Sequence, residues 1–233
     1  IELFVGNSGT TVRFLTAMLA LRPGTYRLHG VARMRERPIG DLIEALAHLG
    51  VRAEAPTGCP PVTLHGGGWR GGTVPIRANV SSQFLSGLLL AAPFADCEGS
   101  GFEVEGTLVS EPYVTMTLEM LRQWGLTATV DRVPGRQRTT LTQYAIEPDA
   151  SAASYLFAIA AITGGEITVP GLGRDSLQGD VAFVDALAQM GCKMDCAPEG
   201  ITVHGGPLRG ITIDMNAISD TVMTLAVVAL FSV

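Results

Sequence analysis

The chain has 233 residues, of which 47% are hydrophobic and 16% charged, and its formal net charge is −6. This balance predicts a folded protein, and the lack of a basic block argues against a nucleic-acid-binding function. No apolar run reaches the roughly 18 residues of a membrane span and no signal peptide is recognisable, so we expect a cytoplasmic protein.

The predicted elements begin with a strand at the amino end, which leads through a glycine turn into an apolar helix from Ser8. A short strand and an amphipathic helix ending at Leu49-Gly50 follow. Two strands with a His-Gly-Gly turn between them are then predicted over 62–79. This pattern, VTLHGGGWRGGTVPIRAN, recurs as ITVHGGPLRGITIDMN over 201–216. Each occurrence is typical of a β-hairpin.

A repeat organises the whole chain. Apolar helices are predicted to start at Ser8, Ser81, Ser151 and Ser219, at intervals of 73, 70 and 68 residues. Within each interval a strand, an amphipathic helix and two or more strands follow, which predicts three copies of an α-β-α-β-β unit and the start of a fourth. Because the first helix of each copy is apolar nearly all round, we expect it to be buried on every face in a parallel bundle.

The amino ends of these helices are predicted to meet at one end of the bundle. Free backbone N–H groups and the positive end of the helix dipole make such a place suitable for phosphate. A Ser at a helix start is equally an ordinary N-cap, but the pair Ser81-Ser82 before Gln83 offers one hydroxyl more than capping needs. Arg13, a charge on an otherwise apolar helix, is also expected to belong to a site.

The cysteines and histidines do not predict a metal site. Neither set has the paired or clustered spacing of a zinc site, so we expect ordinary reduced thiols at Cys59, Cys97, Cys192 and Cys196. His65 and His204 occupy equivalent positions of the repeated pattern, which favours a structural role for both.

Seven segments point to a known family when they are taken together and in order. They are GNSGTTVRFL (6–15), RMRERPIGDL (33–42), SSQFLSGLLLAAP (81–93), SEPY (110–113), DASAASYLFAIAAI (149–162), GRDSLQGD (173–180) and DMNAISDTVMT (214–224). In these segments the chain resembles the 5-enolpyruvylshikimate-3-phosphate synthases, or 3-phosphoshikimate 1-carboxyvinyltransferases. The resemblance implies an inside-out α/β barrel of repeated units in two domains, both incomplete here: residues 1–146 and residues 147–233.

The resemblance also implies an activity. The family transfers the enolpyruvyl group of phosphoenolpyruvate to the 5-hydroxyl of shikimate 3-phosphate and releases phosphate, a shikimate-pathway step of aromatic amino-acid biosynthesis. Each substrate carries a phosphate and a carboxylate, so binding needs Arg, Lys and helix amino ends. The addition and elimination need a base for the hydroxyl and an acid for the methylene carbon, but neither a metal nor an organic cofactor.

Site residues are carried over from the family position by position. The residues implied for phosphoenolpyruvate are Gly9, Arg37 and Gln83, with Asn7, Thr10 and Arg13 in support. Those implied for shikimate 3-phosphate are Ser81, Ser82, Gln83, Ser110, Tyr113 and Asp220. Asp220, predicted in the first turn of the fourth apolar helix, is the implied proton acceptor, although an acid at a helix start is also common for structural reasons. We expect exposed charges at Arg33 and Arg35 and structural roles for Asp149 and Asp180.

Two departures and two alternatives remain open. Phe14 stands where many members have Pro and Ser8 where many have Ala, both beside the site of glyphosate competition, so sensitivity to that inhibitor is not implied.

Further Lys, Arg and Glu residues of the family have no counterpart here, and we expect the segment alone to be inactive. The chain could instead be a non-catalytic subunit that binds substrate only with a complementary chain. A UDP-N-acetylglucosamine enolpyruvyl transferase would need a reactive Cys in a Gly/Arg-rich loop, which the sequence lacks.

Overall fold

The computed structural model describes residues 1–77, 80–106 and 110–233, and in these ranges helices and strands are interspersed along the chain. The α-helices are α1 (Gly9–Ala20), α2 (Gly40–His48), α3 (Gln83–Ala91), α4 (Glu111–Gln123), α5 (Ala150–Thr163), α6 (Phe183–Met190) and α7 (Val222–Ala229). The strands are β1 (Glu2–Phe4), β2 (Gly24–His29), β3 (Arg52–Glu54), β4 (Val62–Gly66), β5 (Gly72–Arg77), β6 (Gly99–Glu105), β7 (Val133–Pro134), β8 (Glu166–Pro170), β9 (Lys193–Ala197) and β10 (Gly200–His204). Short 3-10 helices span Ala32–Glu36, Ala92–Phe94, Gly179–Ala182 and Asn216–Thr221. The predicted α/β class is confirmed.

The chain divides into two compact units, Ile1–Thr142 and Gln143–Val233. Each unit has its own hydrophobic core, built in the first around residues such as Leu28 and Leu85 and in the second around residues such as Phe157 and Leu187. The domain boundary predicted between residues 146 and 147 stays a prediction.

The strands show the repeat most clearly. The first unit contains one sheet in the order β1-β2-β4-β3 and a second in the order β5-β6-β7, and the second unit contains a sheet in the order β8-β10-β9. In the first and third copies one strand lies between two antiparallel neighbours: β4 between β2 and β3, and β10 between β8 and β9. Among the strands of the described residues no closed barrel is found.

The two predicted hairpins are wrong. β4 and β5 are both strands, but they belong to different sheets. β4 and β10 each have partners on both edges already, so neither can pair with the segment that follows it. Residues 210–215 accordingly contain no strand, and Ala78 and Asn79 of the first predicted hairpin lie outside the described residues. In the second copy only the short β7 follows α4, where two or more strands were predicted.

The His-Gly-Gly pattern has another structural reason. A Cβ atom on Gly66 would overlap the Leu19 carbonyl oxygen near the end of α1, and a Cβ atom on Gly205 would overlap that of Ala160 near the end of α5. Glycine therefore lets the end of a central strand approach the carbonyl end of an apolar helix in both copies. The histidines before them have local partners, which supports the predicted structural role: His65 contacts Thr25, and His204 lies between Glu166 and Asp195.

The apolar helices differ in burial, which corrects the prediction that all are covered on every face. α3 is buried or half-buried along its whole length. α5 and α7 instead each expose part of their apolar surface, including Tyr155 and Ile159 on α5 and Met223 on α7. The reason is local: within the second unit each of these helices packs against its neighbours on one side only.

The Glu147 carboxylate connects the beginning of the second unit to the loop before α6 through hydrogen bonds. Its Oε2 accepts hydrogen bonds from Ser176 Oγ at 2.6 Å and Gln178 Nε2 at 3.0 Å, and its Oε1 accepts one from the Leu177 N–H at 3.2 Å. Partial burial would raise the pKa of the Glu147 carboxyl, but these hydrogen bonds together outweigh it and lower that pKa. A lowered pKa means that the charged form stabilises the fold above the unfolded-state value of about 4.3, and that this stabilisation is lost as the pH falls.

Replacing Glu147 with Gln is therefore expected to lower the free energy of unfolding of the second unit at pH 7. The side chain stays partly exposed, so we expect a loss of about 1–2 kcal/mol, shrinking as the pH falls through the folded-state pKa. Hydrogen exchange of the α5 and α6 amides at pH 7 and at acidic pH measures this. Glu199→Gln, at an exposed position, is the matched control. A loss that does not depend on pH would contradict the assignment.

Candidate anion-binding site

The site in the first unit is built around the start of α1. Of the two roles left open for Ser8, the structure shows capping, because the Ser8 Oγ accepts a hydrogen bond from the Thr11 N–H at 3.2 Å. Gly9, the first residue of the helix, is buried, and Thr10 is exposed. The first residue of this twelve-residue helix is thus a glycine, and no side chain at that position covers the amino end of the helix.

Arg37 lies against this helix start. It follows the 3-10 helix Ala32–Glu36, and its Nη1 donates to the Asn7 carbonyl oxygen at 2.8 Å. A Cβ atom on Gly9 would stand only 2.6 Å from Cζ of Arg37. The guanidinium can occupy this place because residue 9 is glycine, which links two residues that the family resemblance had paired only by function.

Arg13 joins three segments beneath the surface. Only 6% of it is exposed, and its Nη1 donates to Gln83 Oε1 at 2.8 Å and to Ser81 Oγ at 3.3 Å. Its Nη2 donates to the Pro38 carbonyl oxygen at 3.1 Å, and its Cζ lies 5.0 Å from the centroid of the Phe84 ring. Arg13 therefore holds together α1, the start of α3 and the chain that follows Arg37.

The amino ends of α1 and α3 meet, as predicted. Gln83 Nε2 donates to Thr10 Oγ1 at 3.1 Å, and one turn further on Gly87 packs against the backbone of Arg13. Contacts in this order show that the two helices run in parallel, side by side. Two sets of contacts therefore lie along the start of α1, and we call them together the network: Arg37 with Asn7 and Gly9, and Arg13 with Ser81 and Gln83, which also contacts Thr10.

The network is positively charged and lacks acids. Among residues 1–77, 80–106 and 110–233, neither Arg13 nor Arg37 forms an ion pair with a carboxylate, whereas surface arginines such as Arg77 and Arg122 do. Burial, and after it the positive charge of Arg37, lower the pKa of the Arg13 guanidinium. A bound anion would relieve this repulsion, so the electrostatics of the network favour phosphate or carboxylate.

The remaining serines lie on the neighbouring elements. Ser82 is 5% exposed, so Ser81 is the more accessible hydroxyl of the pair. Ser110 precedes α4 in the left-handed region with φ of 54°, an uncommon conformation for a residue with a Cβ atom. The Thr117 hydroxyl lies 2.9 Å from that of Ser86, which fixes α4 against α3. Ser110 thus directly precedes a helix that packs against α3, and Tyr113 lies in the first turn of that helix.

In the second unit, Asp220 is not in the first turn of an α-helix as predicted. It belongs to the 3-10 helix Asn216–Thr221, and α7 begins only at Val222. The reason is a break at Ile218, whose φ of −129° and ψ of 45° are not helical. Asp220 is exposed, and none of the described residues forms a hydrogen bond or an ion pair with it, so its carboxylate is open to a ligand.

The start of α5 also differs from the prediction. Asp149, not Ser151, is its N-cap, with a carboxylate that accepts from the Ala152 N–H at 2.9 Å. Ser151 instead donates to the carboxylate of Asp180, which is 4% exposed. These contacts support the structural roles predicted for both acids.

Sequence reasoning missed two partners of the site, the Pro38 carbonyl oxygen and the Phe84 ring. Each directly follows a residue that had been singled out, Arg37 and Gln83, but no pattern indicated that both would meet Arg13.

Among the described residues no group of three or more His, Cys, Asp or Glu side chains could hold a metal ion. No helix within the described ranges has the length and apolar composition needed to cross a bilayer.

Gly9→Ala tests the contact between α1 and Arg37. The new methyl group would displace the far end of a flexible side chain, so we expect little change in stability but a loss of the Arg37–Asn7 hydrogen bond. Binding of inorganic phosphate, measured by calorimetry, should weaken about 5- to 30-fold. Gly40→Ala is the matched control, because Gly40 also opens a helix and its new methyl group would make only ordinary contacts. Equal effects of the two substitutions would contradict the geometry.

Comparison with known proteins gives one consistent result. The family model described as EPSP synthase (3-phosphoshikimate 1-carboxyvinyltransferase) matches residues 1–233. A 3-phosphoshikimate 1-carboxyvinyltransferase of Laribacter hongkongensis is 47% identical over 243 residues, covering 99% of this chain and 56% of the relative. One of Marinomonas sp. is 46% identical over 239 residues, with the same coverage. The chain thus spans about half the length of the curated relatives it matches.

Solved structures share the fold. EPSP synthase of Acinetobacter baumannii matches with a TM-score of 0.72 at 23% identity, over 96% of this chain and 52% of that one. The enolpyruvyl transferase NikO of Streptomyces tendae matches with a TM-score of 0.63 at 19% identity, over 91% of this chain and 52% of that one.

Proposed function

The chain belongs to the EPSP synthase family, and from this premise we propose that it takes part in enolpyruvyl transfer from phosphoenolpyruvate to the 5-hydroxyl of shikimate 3-phosphate. The observation that carries the proposal is the acid-free cationic network at the start of α1 and α3. Two arginines without a carboxylate partner among the described residues, joined to Gly9 and Gln83, suit a substrate pair rich in phosphate and carboxylate.

Phosphoenolpyruvate is assigned to Arg37 and Gly9. The Arg37 guanidinium can offer two parallel N–H donors to a phosphate, and the amino end of α1 adds its dipole and backbone N–H groups. Asn7 holds Arg37 through its carbonyl oxygen. Gln83, which is half-buried and donates to Thr10 in the first turn of α1, is assigned to contact each substrate.

Shikimate 3-phosphate is assigned to the hydroxyls at the starts of α3 and α4. Ser81, Ser82 and Ser110 can each donate to phosphate oxygens, and Tyr113 offers a further polar tip on a flat ring. The left-handed conformation of Ser110 supports this assignment, because strained backbone is concentrated at ligand sites.

Asp220 is assigned as the base. It would accept the proton of the 5-hydroxyl while that oxygen bonds to the enol carbon of phosphoenolpyruvate and the methylene carbon takes up a proton from an acid. Phosphate then leaves, and the methyl group returns a proton to restore the enol double bond. An exposed carboxylate without a competing partner among the described residues suits the first step.

Phosphate release from the two substrates tests the proposal. We expect none from this chain alone, and release when it is combined with a polypeptide that supplies the parts of its relatives it does not span. Turnover by the chain alone would contradict the first expectation. Failure of the mixture to release phosphate would favour the alternative of a non-catalytic subunit that binds substrate only with a complementary chain, in which case phosphoenolpyruvate should still bind to the mixture and show saturation in calorimetry.

A further inference from the structure

We propose that Arg13 is a positioning residue that fixes the side-chain amide of Gln83 in one orientation and does not itself touch a ligand. The inference rests on the proposed function, since that function assigns Gln83 to both substrates. It adds a role for a buried charge that the assignment of substrate contacts leaves unexplained.

Arg13 is out of reach of a ligand. It is 6% exposed, and both of its terminal nitrogens donate to protein acceptors: Gln83 and Ser81 from one, Pro38 from the other. The guanidinium also lies over the Phe84 ring, 5.0 Å from its centroid. The third nitrogen, Nε, has no hydrogen-bond partner among the described residues but is fully buried, so an anion could meet the guanidinium only by opening this packing.

Arg13 determines which end of the Gln83 amide faces inward. A guanidinium has only donors, so the amide must turn its oxygen toward it, as the 2.8 Å contact between Nη1 and Oε1 shows. The amide nitrogen then donates one hydrogen to Thr10 Oγ1 at 3.1 Å. The Gln83 amide then has one N–H hydrogen and one oxygen lone pair left for a ligand, and the two contacts fix the direction of both.

This arrangement gives a reason for a buried charge on an apolar helix. Arg13 has no carboxylate partner among the described residues and lies near the like charge of Arg37, so burying it costs free energy that an apolar side chain would avoid. Arg13 has a role that Met could not fill. It fixes the Gln83 amide so that one donor and one acceptor of that amide face the ligand in a single geometry.

Nuclear magnetic resonance of the chain labelled with 15N-glutamine tests the positioning without any ligand. The chain has six glutamines, and the side-chain amide signal of Gln83 is identified by its loss in Gln83→Leu. In Arg13→Met this signal should move to the position of a solvent-exposed glutamine, while Arg13→Lys, which keeps the positive charge and can still donate but lacks the planar guanidinium, should give an intermediate shift. The other five glutamine signals report that the fold is intact. An unmoved Gln83 signal in a folded Arg13→Met variant overturns the proposal.

A double-mutant cycle with phosphoenolpyruvate and shikimate 3-phosphate tests whether Arg13 acts through Gln83. Arg13→Met should weaken binding roughly tenfold when Gln83 is present, but less than about twofold in the Gln83→Ala background. Equal weakening in both backgrounds would show that Arg13 contacts the ligand directly and overturn the inference. If the unmodified chain bound neither substrate, the proposed function would fail, whereas the amide signal would still decide the positioning role.

Discussion

Replacing Arg37 with Ala is expected to weaken phosphoenolpyruvate binding by about 2–3 kcal/mol, or roughly 30- to 150-fold. The side chain lies against the first residue of α1, and a guanidinium can offer two coplanar N–H donors to a phosphate group. Arg37→Lys keeps the charge but not the paired donors and should recover only part of the affinity. Calorimetric titration of the chain measures both effects.

The matched control is Arg35→Ala, which removes an equal charge two residues away. Arg35 is exposed, and no contact of it is found among the described residues. At moderate ionic strength its loss should change affinity by less than about twofold, since exposed charges are screened within about 10 Å. If Arg35→Ala and Arg37→Ala weakened binding alike, the effect would be general electrostatic attraction and the assigned contact would be wrong.

Asp220→Asn is expected to lower the rate of phosphate release about 10²- to 10⁴-fold, the contribution typical of a general base. The measurement uses the chain combined with the polypeptide that completes its relatives. Asn preserves the shape of the side chain but cannot accept a proton. Because Asp220 is exposed, stability and the affinity for shikimate 3-phosphate should change much less than the rate.

Asp214→Asn separates loss of the base from loss of a nearby charge. Asp214 lies in the same segment and is exposed, and its Oδ1 accepts a hydrogen bond from the Asn216 N–H at 2.9 Å, which an Asn oxygen can also accept. We expect this variant to retain most of the rate. A rate that falls equally in the two variants would remove Asp220 from the role of base.

Local signals predicted most helices correctly but missed contacts that depend on distant residues. The hydroxyl of Ser8 caps α1, because a cap needs only a group within a few residues. The hairpins failed because strand pairing depends on which edges are free, and β2 and β3 had already taken both edges of β4. No window of sequence contains that information.

In the candidate site, too, local sequence predicted some features, while others depend on distant residues. Apolar helices with polar starts predicted that amino ends would meet, and α1 and α3 do so. The environment of Arg13 could not be predicted, since its partners Pro38 and Gln83 lie 25 and 70 residues away. The composition of its segment predicted a regular helix at Asp220, and no residue type there indicated the backbone break at Ile218.

The glycine after each repeated histidine limits how the two related copies could be recombined. Gly66 touches the carbonyl end of α1 and Gly205 that of α5, so the distance from helix to central strand is set by bare backbone on both sides. A chimera that exchanges the first copy for the third could tolerate new residues on the strand surfaces. It could not tolerate a longer helix, or any side chain at the glycine that contacts the helix end. A successful exchange would therefore have to move the helix, the strands and the glycine together, with both junctions outside that segment.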